Sequence, residues 1–315
     1  VSCVNRRLWA VSLGLGLAGR RSSKPVSASE EATDLAQRLQ PEASLRNPRL
    51  LWGAEAVASY PGWMFGEWEI TSRPEAFREP LGPRFIDEAT RAAIREDFEE
   101  TPPADLKWKS RFYWASLDQI GVPRPPPPPT FPGSGFLLAL PALAELCAER
   151  VVQFRAFNAG QEVGAFLKQG VPRVVANADP RVQPLQISVS FPVEADDDAA
   201  IRTVTLKLEA CRTQERGNEF ISSELFRQVI FTDGEVDSAG DFEVINSYTL
   251  KDAGHVTVRN RVAKYLIEPD QLYKEADGRA VSWADYVWDL RRVNTCIDTP
   301  YGRQCASGEE AESRC

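Results

Sequence analysis

The chain has 315 residues, of which 43% are hydrophobic and 26% charged, and its formal net charge is −8. An acidic chain offers no bulk basic surface for phosphates, which argues against nucleic acid as a main partner. The single histidine argues against a His-ligated metal site or a His-based triad. No apolar run reaches the roughly 18 residues of a membrane helix, so the sequence predicts no transmembrane span. It also predicts no metal and no cofactor.

The first 28 residues carry five basic residues, no acidic residue and an apolar run from Leu8 to Gly19. Arg6 and Arg7 before this run, and a small-residue cleavage pattern at 26–28 after it, resemble a twin-arginine export signal. An amphipathic first helix is the alternative, but the glycines of the run would weaken it. Residues 1–28 are therefore interpreted as a targeting signal, which predicts export to a thylakoid lumen or, alternatively, a bacterial periplasm.

Helix signals are confined to short segments. Helices are predicted at residues 29–40, 87–99, 142–149 and 158–170. The first begins at a capping Ser29 and ends before Pro41, within an N-terminal extension of residues 29–59. A proline-rich connector at 121–133 precedes the third helix.

Most of the remaining chain alternates between apolar and polar residues, which is typical of strands with one dry and one wet face. Ten strands are predicted, at residues 65–72, 107–114, 151–157, 171–177, 185–191, 203–210, 219–232, 242–250, 255–267 and 284–293.

Short turn-like segments join several of these strands, for example Asp233-Gly234 and residues 215–218. Strands joined in this way form an antiparallel meander. A meander with one apolar face removes its edges best by closing. We therefore predict a mainly β fold, a meander β-barrel of eight to ten strands with a few short helices. A two-sheet sandwich is the alternative.

The barrel is predicted to be one domain at residues 60–295, with insertions at 73–105 and 117–150. Residues 296–315 form a cysteine-containing tail. Cys296 and Cys305 could close a small loop through a disulfide in an oxidising compartment. The chain has no Cys-x-x-Cys motif, which argues against a redox site of the thioredoxin type.

The first predicted strand begins with Gly66-Glu67-Trp68. A Gly-x-Trp motif at this place resembles the lipocalins and the wider calycin group of β-barrels. In these proteins glycine permits tight entry into the barrel and tryptophan closes one end. The resemblance implies that an arginine of the last strand lies across the tryptophan, and strand alternation favours Arg292 over Arg291 for that role. A second lipocalin motif of the Thr-Asp-Tyr type is missing, so the resemblance is to a distant calycin.

A second resemblance covers residues 50–295. Tyr60-Pro-Gly-Trp63 beside the Gly-x-Trp motif, Arg155-Ala-Phe-Asn158 before a helix, and the segment 223–229 are similar to a family of uncharacterised chloroplast proteins. That family occurs in plants, algae and cyanobacteria and is associated with the thylakoid lumen. The resemblance implies a compartment and a fold, but no activity.

Inward-facing aromatic residues are the candidate lining of the barrel. They are Trp108, Phe112, Trp114, Phe154, Phe191, Phe242, Tyr248 and Trp288. They could form a cup for a flat lipophilic ligand such as a pigment, quinone or lipid. They could equally fill the interior as an ordinary core.

The sequence contains no nucleophile elbow, P-loop or dinucleotide-binding glycine motif between a strand and a helix, so no catalytic residue is predicted. We expect a non-enzymatic lumenal barrel that acts as an accessory, assembly or docking protein of a photosynthetic membrane complex. The alternative is a lipocalin-like binder of a lipophilic small molecule. An enzyme acting on such a ligand is the third hypothesis.

Overall fold

The computed structural model describes residues 34–50, 57–99, 105–120, 149–167, 174–179, 181–182, 185–194 and 199–306. The predicted targeting signal, the proline-rich connector and all but the last residue of the predicted helix at 142–149 lie outside these ranges.

Twelve strands are present in the described part of the chain. In chain order they are β1 (Gly66–Arg78), β2 (Leu106–Ser116), β3 (Glu149–Gln153), β4 (Val175–Ala178), β5 (Gln186–Glu194), β6 (Ala199–Arg216), β7 (Glu219–Thr232), β8 (Glu235–Asp252), β9 (His255–Tyr265), β10 (Ser282–Asn294), β11 (Cys296–Thr299) and β12 (Gly302–Cys305).

The described helices are short. The α-helices are α1 (Glu88–Glu99), α2 (Arg155–Phe166) and α3 (Tyr273–Ala276), and 3-10 turns occupy Leu35–Leu39, Pro48–Leu50, Gly62–Met64, Pro83–Phe85 and Asp118–Ile120. Helix α1 matches the prediction at 87–99. The predicted N-terminal helix is a 3-10 turn in its described part, where the side chain of Asp34 accepts a hydrogen bond from the amide of Ala36.

Ten of the strands form one antiparallel sheet, in the order β3-β2-β1-β10-β9-β8-β7-β6-β5-β4. Strands β4 to β10 are a continuous meander, and β1 pairs with β10 so that the first and last long strands are neighbours. The sheet curls into a half-barrel, which confirms the predicted mainly β meander fold. Strands β11 and β12 form a separate hairpin.

Helix α2 lies where the curled sheet has its two edges. In the described ranges no ladder joins β3 to β4, and α2 packs against β2, β4 and β5 instead. Asn158 ties the helix to β2, since its side chain accepts from the amide of Arg111 at 2.7 Å and donates to the carbonyl of that residue at 3.2 Å. The edge gap is therefore spanned by a helix rather than by strand pairing.

The same contacts correct the prediction of a strand over residues 151–157. Strand β3 ends at Gln153, and α2 begins at Arg155. The amide of Phe154 donates to the carbonyl of Arg111 at 2.9 Å, and the side chain of Asn158 bonds both the amide and the carbonyl of the same residue. These contacts use the backbone hydrogen-bonding groups of Arg111. The chain therefore leaves the strand and begins α2 at Arg155, three residues before the predicted start at 158.

The sheet is covered on both faces. The concave face holds the main core, whereas the convex face of β7 to β10 is covered by residues 34–47, which we call the N-terminal strap. Leu35, Leu39 and Leu45 of the strap pack on Ile245 and Trp283. Burying these apolar side chains stabilises the strap by roughly 1.5–3 kcal/mol per residue.

A buried polar network fastens the strap. The guanidinium of Arg38 pairs with the carboxylate of Glu243 and donates to the hydroxyl of Tyr265 at 3.2 Å. Arg261 binds Asp285 and also donates to the backbone carbonyls of Arg38 and Gln40. The strap therefore covers the convex face of β7 to β10, and the concave face surrounds the interior of the half-barrel.

Candidate ligand cavity

The barrel base is built by the residues of the Gly-x-Trp motif. Gly66 has φ +121°, and a Cβ atom at this position would lie 2.7 Å from the backbone oxygen of Asn294. Only glycine combines this backbone conformation with such a close approach. Trp68 is fully buried, and its indole N–H donates to the carbonyl of Met64 at 2.8 Å. Arg292 lies over the Trp68 ring, as the calycin resemblance implies.

The outer neighbour in this motif, Glu67, points away from the interior and is nevertheless buried. Lys109 donates to its carboxylate at 2.9 Å and Arg111 at 2.7 Å. Burial alone would raise the pKa of Glu67, but these two cations outweigh it and lower the pKa below its ordinary value. Glu67 therefore links β1 to β2 on the convex face.

Above the base, the concave face encloses a cavity of about 110 Å³. Its wall draws on eight strands and on α2. Apolar wall residues include Ile70, Trp108, Phe112, Phe166, Ile187, Phe226, Val244, Val262, Trp288 and Leu290, and polar ones include Ser72, Ser110, Gln153, Arg155, Asn158, Glu162, Glu224, Asn246, Tyr248, Asn260 and Tyr286. The interior is therefore only partly filled, and its wall mixes rings with polar groups.

Four of the eight aromatic residues predicted to line the barrel reach this cavity: Trp108, Phe112, Tyr248 and Trp288. The rings of Trp108 and Trp288 meet edge to face with centroids 5.5 Å apart. Phe112 and Tyr248 both contact Tyr60, which lies behind them. Burial raises the pKa of Tyr248, so its hydroxyl is neutral, and this hydroxyl is hydrogen-bonded to Tyr60.

The other four predicted lining residues lie away from the cavity wall. Trp114 stacks on Phe65, and Phe191 is buried in the core. Phe242 lies one inward position before Val244 on β8, with the ammonium of Lys264 6.0 Å from the centroid of its ring. Phe154 contacts Tyr113 and Phe157, because the turn into α2 directs its ring away from the interior.

An ion pair is built into the cavity wall. Arg155, the first residue of α2, forms a two-pronged contact with Glu224 of β7, with Nη1 donating to Oε2 at 3.1 Å. The side chains are 11% and 3% exposed. Burial alone would lower the pKa of Arg155, but the neighbouring carboxylate outweighs it and raises the pKa. The two charges therefore neutralise each other inside the barrel.

Glu162 lies two turns further along α2 and also lines the cavity. Within the described residues its carboxyl has no hydrogen-bond or ion-pair partner. Burial raises its pKa from 4.5 to about 7, because the charged form loses hydration without gaining a cation. This carboxyl therefore changes protonation state near neutral pH.

Amide side chains complete the polar part of the wall. The amide nitrogen of Asn260 donates to Oδ1 of Asn246 at 2.7 Å, and Gln153 donates to the hydroxyl of Tyr60 at 2.7 Å. Oδ1 of Asn260 and Nε of Arg155 are buried without a hydrogen-bond partner among the described protein atoms. Most buried polar groups in native proteins are paired, so this interior is unusually rich in unused hydrogen-bonding capacity.

Sequence reasoning missed these polar wall residues, although a signal was present. On β7 the inward positions 220, 222, 224 and 226 include Glu224 between aromatic residues, and Asn246 and Asn260 interrupt apolar faces in the same way. A polar residue at an inward position of an alternating strand marks a polar interior. Arg155 and Glu162 carried no comparable signal, because their facing depends on how the helix is seated.

The remaining predicted groups lie at the periphery. Cys296 and Cys305 form a disulfide within the β11–β12 hairpin, and Gln304 of this hairpin bonds both backbone groups of Trp114. His255 Nε2 lies 2.7 Å from a carboxylate oxygen of Asp289 where β9 begins, at the end of the sheet that carries Arg292. Within the described ranges, no group of three or more His, Cys, Asp or Glu side chains is placed to hold a metal ion.

The fold and the cavity together define a β half-barrel protein with an internal, partly polar cavity. No protein-family model, curated protein or solved structure matches the chain. Among the helices that the structure describes, none has the length and apolarity needed to cross a lipid bilayer.

Proposed function

We propose that the protein is a small-molecule binding protein whose ligand occupies the concave face of the half-barrel. The observation that carries this proposal is the 110 Å³ cavity, whose wall combines the Trp108 and Trp288 rings with the Glu162 carboxyl, which has no partner among the described residues. Ligand pockets share this composition, an apolar enclosure with a few polar groups that fix orientation.

The cavity volume limits the ligand. An engineered apolar cavity of about 150 Å³ accommodates benzene. A space of about 110 Å³ is smaller than that cavity and therefore suits a molecule or chemical group smaller than benzene. A whole pigment or isoprenoid quinone would exceed the described cavity, so a large lipophilic ligand would have to insert one end only.

A cavity-filling variant tests the proposal. Ser110 faces the cavity from β2 and is 5% exposed, so Ser110→Phe would place a phenyl ring in the space. Lys107→Phe, on the exposed face of the same strand, is the matched control. We expect small neutral and charged fragments to bind the wild type and the control, and to lose binding in Ser110→Phe, by ligand-observed NMR. If no fragment binds the wild type, or if filling the cavity changes nothing, the proposal fails.

The thylakoid-lumen location, the accessory or docking role in a photosynthetic complex and the lipophilic ligand class stay predictions from the sequence. The cavity and the docking role would be connected if binding of a ligand in the cavity controlled binding of the protein to a photosynthetic complex. Co-purification of the protein with thylakoid complexes, with and without the Ser110→Phe change, would test the connection. Recovery of the chain without any complex under mild detergent would argue against the docking role.

A further inference from the structure

We propose that the cavity binds a small organic ammonium ion, held by the carboxylate of Glu162 and by the aromatic rings of Trp108, Trp288 and Phe166. The inference rests on the proposed function of the cavity and specifies its ligand class. Its basis is the charge of the wall, the grouping of the rings and the available volume.

The charge of the wall favours a cation. Among the described residues that line the cavity, Arg155, Glu162 and Glu224 are the ones with a formal charge. Arg155 and Glu224 hold each other in a two-pronged contact, and separating them would leave both buried without a partner. The charge left for a ligand is the negative charge of Glu162. A cation satisfies that charge, whereas an anion would have to break the existing pair.

The rings of the wall are grouped where a cation could contact them. The Trp108 ring lies 5.5 Å from that of Trp288 and 6.3 Å from that of Phe166, measured between centroids. Glu162 and Phe166 are four residues apart in α2, so their side chains project from the same face of the helix. A carboxylate beside several rings is the combination that recognises alkylated ammonium groups, since ring faces attract cations and alkyl groups alike.

The volume fits a compact ammonium group. A trimethylammonium group has fewer heavy atoms than benzene, and only this head group of the ligand has to enter the cavity. Its positive charge is spread over methyl groups that tolerate an apolar wall. Ser72 and Ser110, which also line the cavity, offer hydroxyls to a short polar tail on the ligand.

Three probes of nearly the same shape separate charge from size: choline, its neutral carbon isostere 3,3-dimethyl-1-butanol, and the anion 3,3-dimethylbutanoate. They are titrated at pH 8 into the 315-residue chain and followed by ligand-observed NMR and calorimetry. We expect choline to bind at least about tenfold more tightly than the alcohol, and the anion to bind most weakly.

Two substitutions assign the preference to its residues. Glu162→Gln keeps the shape of the side chain and removes its charge, so the advantage of choline over the alcohol should disappear. Glu69→Gln removes the same charge from an exposed position on β1 and should leave the advantage unchanged. Trp288→Leu, at a partly buried ring, should weaken choline more than the alcohol.

The outcomes distinguish two failures. If none of the three probes binds, the proposed small-molecule function itself is in question. If the alcohol or the anion binds as tightly as choline, or if Glu162→Gln keeps the preference for choline, the cavity is a small-molecule site but not an ammonium site.

Discussion

The Cζ atom of Arg292 lies 4.6 Å from the centroid of the Trp68 ring, and the two residues are direct partners in the β1–β10 ladder. Their contact joins the first and last long strands of the sheet at one end of the half-barrel. A second guanidinium contact, to the carbonyl of Trp63, extends the link to the turn before β1. Burial lowers the pKa of Arg292, because no carboxylate compensates for its lost hydration.

Replacing Arg292 by Leu should lower the free energy of unfolding by about 1–2 kcal/mol, through loss of the cation–π contact and of the hydrogen bond to Trp63. Arg291→Leu is the matched control, because Arg291 is exposed and its ion pair with Asp289 lies on the surface. Urea unfolding measures both variants. Equal losses in the two would show that the contact with Trp68 adds nothing to stability.

Gly66→Ala should be strongly destabilising, by about 2 kcal/mol or more, because it adds a backbone clash to an unfavourable φ. Gly82→Ala separates the two causes, since Gly82 also has a positive φ, +91°, but has no atom within 4 Å of the added Cβ. We expect chemical denaturation to show a clearly smaller loss for Gly82→Ala. If Gly66→Ala lowered the free energy of unfolding no more than Gly82→Ala, the backbone of Asn294 would have to move away from the added Cβ atom at little cost.

Breaking the Arg155–Glu224 pair should cost about 3–5 kcal/mol, because either single substitution leaves a buried charge without its partner. The double variant Arg155→Met/Glu224→Gln should recover much of this loss. A double-mutant cycle on unfolding free energies gives the coupling. The exposed pair Arg181–Asp179 should couple by under about 1 kcal/mol. A buried pair that couples no more strongly than this surface pair would contradict the assignment.

Glu162 should make the protein less stable as the pH rises. The pKa of Glu162 is raised in the folded state from 4.5 to about 7, so its favourable contribution is complete below pH 4.5 and is lost as the pH rises through 7. Glu162→Gln should therefore raise the unfolding free energy by up to about 3 kcal/mol at pH 8, with little effect at pH 4.5. Denaturation at both pH values measures this difference, and the exposed Glu69→Gln should show no such trend.

Choline binding should follow the ionisation of the same carboxyl. Choline is cationic at every pH, and the other ionisable groups of the cavity wall are the paired Arg155 and Glu224 and the phenols Tyr248 and Tyr286. Affinity should fall about tenfold or more between pH 8 and pH 5, as Glu162 becomes neutral. The neutral isostere should show no such fall. A flat profile for choline in the wild type would exclude Glu162 as its charge partner.

The barrel base shows how far the amino-acid pattern reaches. Alternation along β10 placed Arg292, and not Arg291, on the face shared with Trp288 and Leu290, and the Gly-x-Trp motif identified the partner. Both inferences work because side chains of a strand alternate with a period of two, which is a local property of the backbone. The meander followed for the same reason, from short turns between alternating segments.

The set of residues that line the cavity could not be predicted in this way, because it depends on tertiary distances that no local sequence pattern encodes. Of the eight predicted lining residues, Trp108 and Trp288 meet edge to face in the cavity wall, whereas Phe154 and Phe242 lie elsewhere, because the curl of the sheet decides which inward positions converge. Likewise, Arg155 finds Glu224, 69 residues away, only through the seating of α2 between the sheet edges. Local periodicity therefore determined the strands and their inward faces. The global curvature and the helix that spans its gap decided where charge and open space remain.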